Sequence, residues 1–223
     1  MKVEEAIDQR YSVRAFLDQP VAKRDIEAIL RQAVRAPSWG NTQPWEIAVA
    51  GGDVAKAVTD EFCQLLGNGV QMNPDFNMPV SFTGLYNDRY RSVGKEVFRL
   101  KGIGREDQDA RAAHYMSNFR AFGAPVLIYL LQDQCLDTVY PVFGAGSLAQ
   151  NICLLATSRG MGTCLLAALA WYPDVIRKHL GLGTDKKVVL GIGLGYPDPA
   201  DPVNTLRSER ADLKDNVRFV GMD

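Results

Sequence analysis

The amino-acid sequence predicts a single domain, residues 1–223, of the α/β or α+β class, and three observations carry that reading. The chain is 223 residues long with 47% hydrophobic and 23% charged residues, the balance of a globular protein with material for one large core. Segments with apolar residues at i, i+3 and i+4 alternate with three or four short apolar runs of strand length. No internal repeat is visible, which sets repeat architectures aside.

Residues 2 to 8 read as a short helix, followed by an extended stretch from Arg10 to Phe16. A helix is expected from about Ala22 to Arg35, where Ile26, Ile29, Leu30, Ala33 and Val34 share a face. Pro37 stops it, because the residue before a proline is pushed out of helical geometry. A polar loop, Ser38 to Pro44, leads into a strand from Trp45 to Ala50, and Val54, Ala57, Val58, Phe62 and Leu65 or Leu66 mark a helix over Asp53 to Leu66. Gly67 to Phe82, with Asn73, Pro74, Asn77 and Pro79, reads as an irregular connection of a length that is usually functional or mobile. Two helices follow, about Asn87 to Lys101 and Glu106 to Phe122. Pro125 to Leu131 is an unbroken apolar run suited to a strand buried on both faces.

Phe143 to Arg159 reads as a buried helix whose Gly, Ala and Ser permit close packing. The apolar window from Tyr140 to Ala156 is interrupted by Gly144, Gly146, Gln150 and Asn151 and falls short of the roughly 20 apolar residues of a membrane span. Thr163 to Ala168 is expected as a strand, Pro173 to Leu180 as a helix opened by proline, and Lys187 to Gly195 as a second buried strand. Past Pro197 the chain becomes a polar tail with a weak strand near Val217 to Val220.

Charge and composition exclude several functions. The 25 Lys and Arg against 26 Asp and Glu give a formal charge of -1, so neither nucleic acid nor an anionic membrane is expected as a partner. The four cysteines and two histidines form no CxxC or Cys/His cluster, and no zinc site is expected. The N-terminus lacks the apolar core of a signal peptide, which points to the cytoplasm. GxSxG, HExxH and paired histidines are absent, so any hard chemistry is expected to come from a cofactor.

Several segments could supply a site. In the extended run Arg10-Tyr11-Ser12-Val13-Arg14, side-chain alternation puts Arg10, Ser12 and Arg14 on one face, where two guanidinium forks and a hydroxyl suit a phosphate. The alternative is a solvated strand edge carrying surface arginines. Pro37-Ser38-Trp39-Gly40-Asn41-Thr42-Gln43-Pro44-Trp45 holds polar side chains able to read the edge of a heterocycle, or else is a helix stop and turn with Trp45 anchored in the core. Gly144-Ala145-Gly146-Ser147-Leu148-Ala149 fits GxGxx[GA], but no strand precedes it and the next acid is Asp174, so it is not read as a dinucleotide site. Arg159-Gly160-Met161-Gly162-Thr163 can bring backbone amides close to a ligand. Gly191, Gly193 and Gly195, at period two, suit tight packing over a strand face. Arg207 and Arg210 are further phosphate ligands or a solvated cluster, and His114 and His179 read as structural or surface residues.

Taken in order, RYSVRAF, APSWGNTQPW, FGAPVLIYL, FGAGSLAQNICLLATSRGMGTC, GIGLGYPD and RSERADL resemble the nitroreductase family of flavin enzymes over almost the whole chain. The resemblance implies an α+β homodimer of three layers, a mainly antiparallel sheet flanked by helices. It also implies FMN at the subunit interface and an exchanged C-terminal extension, here residues 198–223, embracing the partner. On it, Arg10, Ser12, Arg14 and Arg210 hold the FMN phosphate and ribityl chain, with Tyr11 in the same run. Arg207 supplies the charge that a Lys, replaced here by Ser208, often gives. Pro37, Ser38, Trp39, Asn41 and Gln43 form the loop laid against the flavin by the partner. Gly160, Gly162 and Thr163 meet the ring near N5, and Asn118 meets its pyrimidine edge. The implied mechanism is ping-pong, in which NADH or NADPH gives a hydride to the flavin and an acceptor then takes it.

For a small aromatic substrate, the stretch Phe76 to Tyr86 with Tyr115, Phe119 and Phe122 either lines a pocket for flat nitroaromatics or quinones or belongs to the core. The loop and the helices near residues 87 to 120 look more like nitrobenzoate or nitrobenzene reductases than like the short enzymes of the family. Enones or halogenated phenols as acceptors, and flavin binding without turnover, are the other readings.

Overall fold

The computed structural model describes residues 1–78, 81–136 and 139–222; Pro79 of the expected irregular connection lies outside the described residues. The helices are α1 (Val3–Gln9), α2 (Lys23–Ala33), α3 (Gly52–Gly67), α4 (Gly84–Leu100), α5 (Gln108–Phe119), α6 (Val139–Thr157), α7 (Pro173–Leu180) and the short α8 (Leu213–Asn216). Strands β1 (Trp45–Gly51), β2 (Val126–Asp133), β3 (Gly162–Leu166) and β4 (Lys186–Gly195) form one sheet in the order β1-β2-β4-β3, and each neighbouring pair is antiparallel. β2 and β4 lie in the middle, which explains their unbroken apolar runs: Leu127 to Leu131 are fully buried.

Each face of the sheet carries its own core. On one, Ile26, Ile29 and Ala33 of α2 and Leu148, Ile152 and Ala156 of α6 meet Val126, Ile128, Leu130, Ile192 and Leu194. On the other, Val58 and Phe62 of α3, Phe119 of α5 and Val175 and Ile176 of α7 meet Leu127, Tyr129 and Leu131. Alternate residues of the same strands thus supply both cores, and the result is the expected three-layer α-β-α arrangement. Helix α6 is long and apolar enough to cross a membrane, but here its Leu148, Ile152 and Ala156 are buried against α2 and the sheet.

The period-two glycines of β4 form a lane onto which chain segments settle. A Cβ on Gly191 would collide with Leu169; on Gly193 it would lie 3.0 Å from Ala124 Cβ, and on Gly195 2.6 Å from Pro125 Cδ. The packing reading of these glycines is therefore correct, and it accounts for two departures from expectation. The strand expected to Ala168 ends at Leu166, because Ala167–Ala170 turn so that Leu169 sits over Gly191. The helix expected to Phe122 ends at Phe119, because Ala121, Phe122 and Gly123 adopt φ of 49°, 55° and 83° to lay the chain on Gly193. The strand expected near Val217 to Val220 is not formed: this segment pairs with no strand of its own chain and is exposed.

The irregular connection is pinned in its first half. Asp75 accepts from Arg177 Nη2 at 2.6 and 2.7 Å and from Val188 N at 2.7 Å, and Tyr172 Oη donates to the Val70 carbonyl at 2.8 Å. Beyond α4, Lys101 pairs with Asp201 at 2.7 Å. Between these pins α4 buries only Val97, against Val203 and Leu206.

Candidate functional site

The site grows from the stretch that follows α1. The chain leaves the helix at Arg10, which is extended with φ -65° and ψ 129°. Ser12 then forms a parallel bridge with Thr163 at the free edge of β3, and Val13 N donates to the Thr163 carbonyl at 3.0 Å. Further on, Leu17 N donates to the Tyr196 carbonyl at 2.9 Å, just past β4. Sequence reasoning thus placed the extended run correctly, and the structure brings Arg10, Tyr11, Ser12, Arg14 and Thr163 together.

Two further residues fix this run. Asn204, buried in the tail, accepts from Arg14 N at 2.9 Å and donates to the carbonyls of Ala15 at 2.7 Å and Asp198 at 2.8 Å. Sequence reasoning missed it; the only available signal is Asp201-Pro202, which caps and opens the short turn that carries it. Arg207 lies with its guanidinium carbon 3.7 Å from the centre of the Tyr11 ring, a cation–π contact that ties the tail to the run. Tyr11 therefore faces Arg207, while Val13 is buried against Gly162, where a Cβ would collide with it.

The remaining donors of the run have little to hold. Among the described residues, Arg10 Nε is buried without a partner and Arg14 Nη1 reaches only the Ser12 carbonyl, at 3.2 Å. A buried guanidinium nitrogen without a partner among the described residues, in a run that carries a second arginine, suits an anionic oxygen, so the residues present fit a phosphate. The thiols nearby are unsuited to nucleophilic work: burial raises Cys153 above its ordinary pKa and pushes Cys164 up to about 11.

The other expected residues are placed less directly. In the loop after α2, Ser38 Oγ accepts from Gln43 N at 3.0 Å, and Gly40, Asn41 and Gln43 have φ of 58°, 54° and 48°. Pro37 is exposed, and Trp39, 68% exposed, packs edge-on against Tyr140, with ring centres 4.4 Å apart. No hydrogen bond joins this loop to the Arg10–Arg14 run among the described residues. Gly160 ends α6 in a left-handed turn at φ 72°, with Met161 N donating back to the Ala156 carbonyl at 3.0 Å, so helix termination already explains it. Asn118 turns its amide onto the carbonyls of His114 and Tyr115, and Arg210 donates to Ser208 and Glu209 in its own segment. His179 binds Glu61 across α7 and α3 at 2.6 Å. Of the aromatic set, Phe119 and Phe122 are core, whereas Phe82, Tyr86 and Tyr115 are exposed. Among the described residues no group of three or more His, Cys, Asp or Glu could hold a metal.

An arginine-lined run on a sheet edge has the donors to hold an anionic ligand. Residues 7–196 match the nitroreductase family. The 4-nitrobenzoate reductase of Pseudomonas putida is 33% identical over 97% of this chain and 95% of its own length. The nitrobenzene nitroreductase of Ectopseudomonas oleovorans is 30% identical over 98% and 96%. Among solved structures, the FMN and NADPH-dependent nitroreductase NfnB from Sphigopyxis sp. strain HMH superposes with a TM-score of 0.93 at 32% identity, covering 100% of both chains. The FMN-dependent NfnB from Mycobacterium smegmatis in complex with NADPH gives 0.91 at 29%, covering 97% of both. With the family matched across the sheet, both helical layers and the arginine run that edges them, the chain belongs to the nitroreductase family.

Proposed function

We propose that this chain is an FMN-dependent oxidoreductase that uses NADH or NADPH to reduce nitroaromatic compounds or quinones, working in the cytoplasm as a homodimer. The observation that carries the reading is the Arg10–Arg14 run, whose buried Arg10 Nε lacks an acceptor, in a chain that superposes end to end on an FMN and NADPH-dependent nitroreductase. FMN, when bound, supplies the hydride chemistry.

The protein's part is to bind and orient. Arg10, Ser12 and Arg14 hold the phosphate and ribityl chain through charge-assisted hydrogen bonds, with Arg210 joining them from the tail. Positive charge on this strand also favours an anionic ligand ring over a neutral one. Pro37, Ser38, Trp39, Asn41 and Gln43 cover the partner subunit's cofactor. The support for two subunits is apolar surface that one chain leaves bare: Val3 and Ile7 on α1, Phe143 on α6, and Phe219 and Val220 in the tail are all exposed. Phe82, Tyr86 and Tyr115, exposed near the start of α4 and on α5, are available to stack on a flat acceptor.

The test is titration with FMN followed by flavin fluorescence, then anaerobic addition of NADPH or NADH. Wild-type protein is expected to bind FMN and bleach, and Arg14→Ala and Arg210→Ala are each expected to weaken binding by about 10- to 100-fold, the loss of one charge-assisted contact. Protein that stays colourless after reconstitution overturns the reading, and unaltered affinity in both variants overturns the assigned residues.

A further inference from the structure

The tail after Pro197 is not uniform along its length. Val203, Asn204 and Leu206 are buried on their own chain, whereas Ser208, Glu209 and Arg210 are exposed. The buried part is the short turn Pro202–Thr205, and it is held from two sides. On one, Asp201 accepts from Lys101 Nζ at 2.7 Å, just past α4, and Val203 and Leu206 pack on Val97. On the other, Arg207 stacks on Tyr11, and its Nη1 donates to the carbonyls of Asn204 and Leu206, each at 2.9 Å. Asp201 Oδ1 also accepts from Val203 N at 2.9 Å and the Asp201 carbonyl from Asn204 N at 3.1 Å, so the backbone of Asn204 is fixed within the chain.

The side chain of Asn204 acts where the sheet ladder does not reach. Val13 N is tied to Thr163 in β3 and Leu17 N to Tyr196 past β4, and Arg14 and Ala15 cross the interval between these ties. There Asn204 takes the part of a neighbouring strand: its amide oxygen accepts from Arg14 N, and its nitrogen gives one hydrogen to the Ala15 carbonyl and one to that of Asp198. An amide of this size offers one acceptor and two donors at a single point, whereas a carboxylate would turn a second acceptor onto those carbonyls. A ligand-binding side chain serves only when its support holds it within about 0.5 Å of the productive geometry. We propose that Asn204 is a positioning residue for the cofactor phosphate, acting through the backbone of Arg14. The proposal rests on the flavin-enzyme reading and adds to it a residue from the tail of the same chain that works without touching the cofactor.

The test is fluorescence titration of the full-length, flavin-free protein with FMN and with riboflavin, which lacks the phosphate. Wild type is expected to prefer FMN by at least about tenfold, the contribution of charge-assisted contacts to the phosphate. Asn204→Leu, similar in shape but without hydrogen bonds, is expected to lower FMN affinity by about tenfold and to leave riboflavin affinity as in wild type. In an Arg14→Ala background the same substitution is expected to cost FMN no further affinity, because the group it positions is already gone. Equal losses for the two flavins mark Asn204 as a general structural support and overturn the proposal. So does an unchanged FMN affinity, or a full additional loss on top of Arg14→Ala. If Asn204→Leu does not fold, Asn204→Ser, whose hydroxyl is too short to span the two segments, is read by the same ratio with the same outcomes. Wild type that binds neither flavin overturns the flavin reading and this proposal with it, whereas wild type that binds both alike leaves that reading standing and overturns only the role of Asn204.

Discussion

Two short stretches of this chain hold ordinary residues in left-handed backbone, and their surroundings are opposite. Ala121 and Phe122 turn with Gly123 over the bare strand at Gly193, and Phe122 is only 9% exposed. Asn41 and Gln43, beside Gly40, make a comparable turn in solvent, restrained by hydrogen bonds within the loop, among them Gln43 N to Ser38 Oγ and Asn41 N to the Ser38 carbonyl, and flanked by an exposed Trp39. Left-handed geometry costs an ordinary residue about 1–2 kcal/mol, and it persists only where the surroundings over-determine it. The buried turn has that support within the chain. The exposed one is held only by bonds within its own loop among the described residues, in keeping with the proposed homodimer, in which a partner subunit and a cofactor would complete it.

Glycine substitutions separate the two cases. Phe122→Gly should destabilise by about 3 kcal/mol in urea unfolding, because loss of a buried aromatic at about 3–5 kcal/mol outweighs about 1 kcal/mol of relieved strain. Asn41→Gly should change stability by less than about 1 kcal/mol, since relief of strain and the added freedom of the unfolded chain nearly cancel. Its effect should appear instead as about tenfold weaker FMN binding, the loss of roughly one hydrogen bond. Equal destabilisation by both substitutions would erase the distinction.

The smallest effect concerns His114, which packs on Phe122. Its pKa is lowered in the folded chain from the ordinary 6.5, so the unfolded chain binds a proton that the folded chain refuses, and stability should fall as pH drops through 6.5. His114→Gln should flatten that slope when urea midpoints are measured between pH 7.5 and 5. An identical slope in the variant would remove His114 from the account of the buried turn.

The layers were legible in the sequence because they depend on periodicity. The run Pro125 to Leu131 announced a central strand, and the face of Ile26, Ile29 and Ala33 announced α2. The glycines of β4 were legible as packing, but their consequence was not: nothing local in Ala121-Phe122 favours left-handed backbone, which is imposed by a strand far along the chain. Asn204 was hidden for the same reason, since a buried amide bridging Arg14, Ala15 and Asp198 has no periodic signature. Gly160 and Gly162 stood out as candidate ligand contacts, yet a helix end and the Val13 side chain each suffice to require them. The expected strand at Val217 to Val220 reflected β-propensity in a segment whose own chain offers it no partner.

The two pins at Asp75 and Lys101 make the stretch between them a replaceable cassette. Each pin closes on a part of the body outside the stretch, Arg177 in one case and Asp201 in the other, and α4 sinks only Val97 into the core. A homologous segment grafted between the same two ion pairs would meet an unchanged sheet and arginine run. The segment could then be exchanged among relatives as a unit, by recombination at two fixed junctions, without redesigning the domain that carries it.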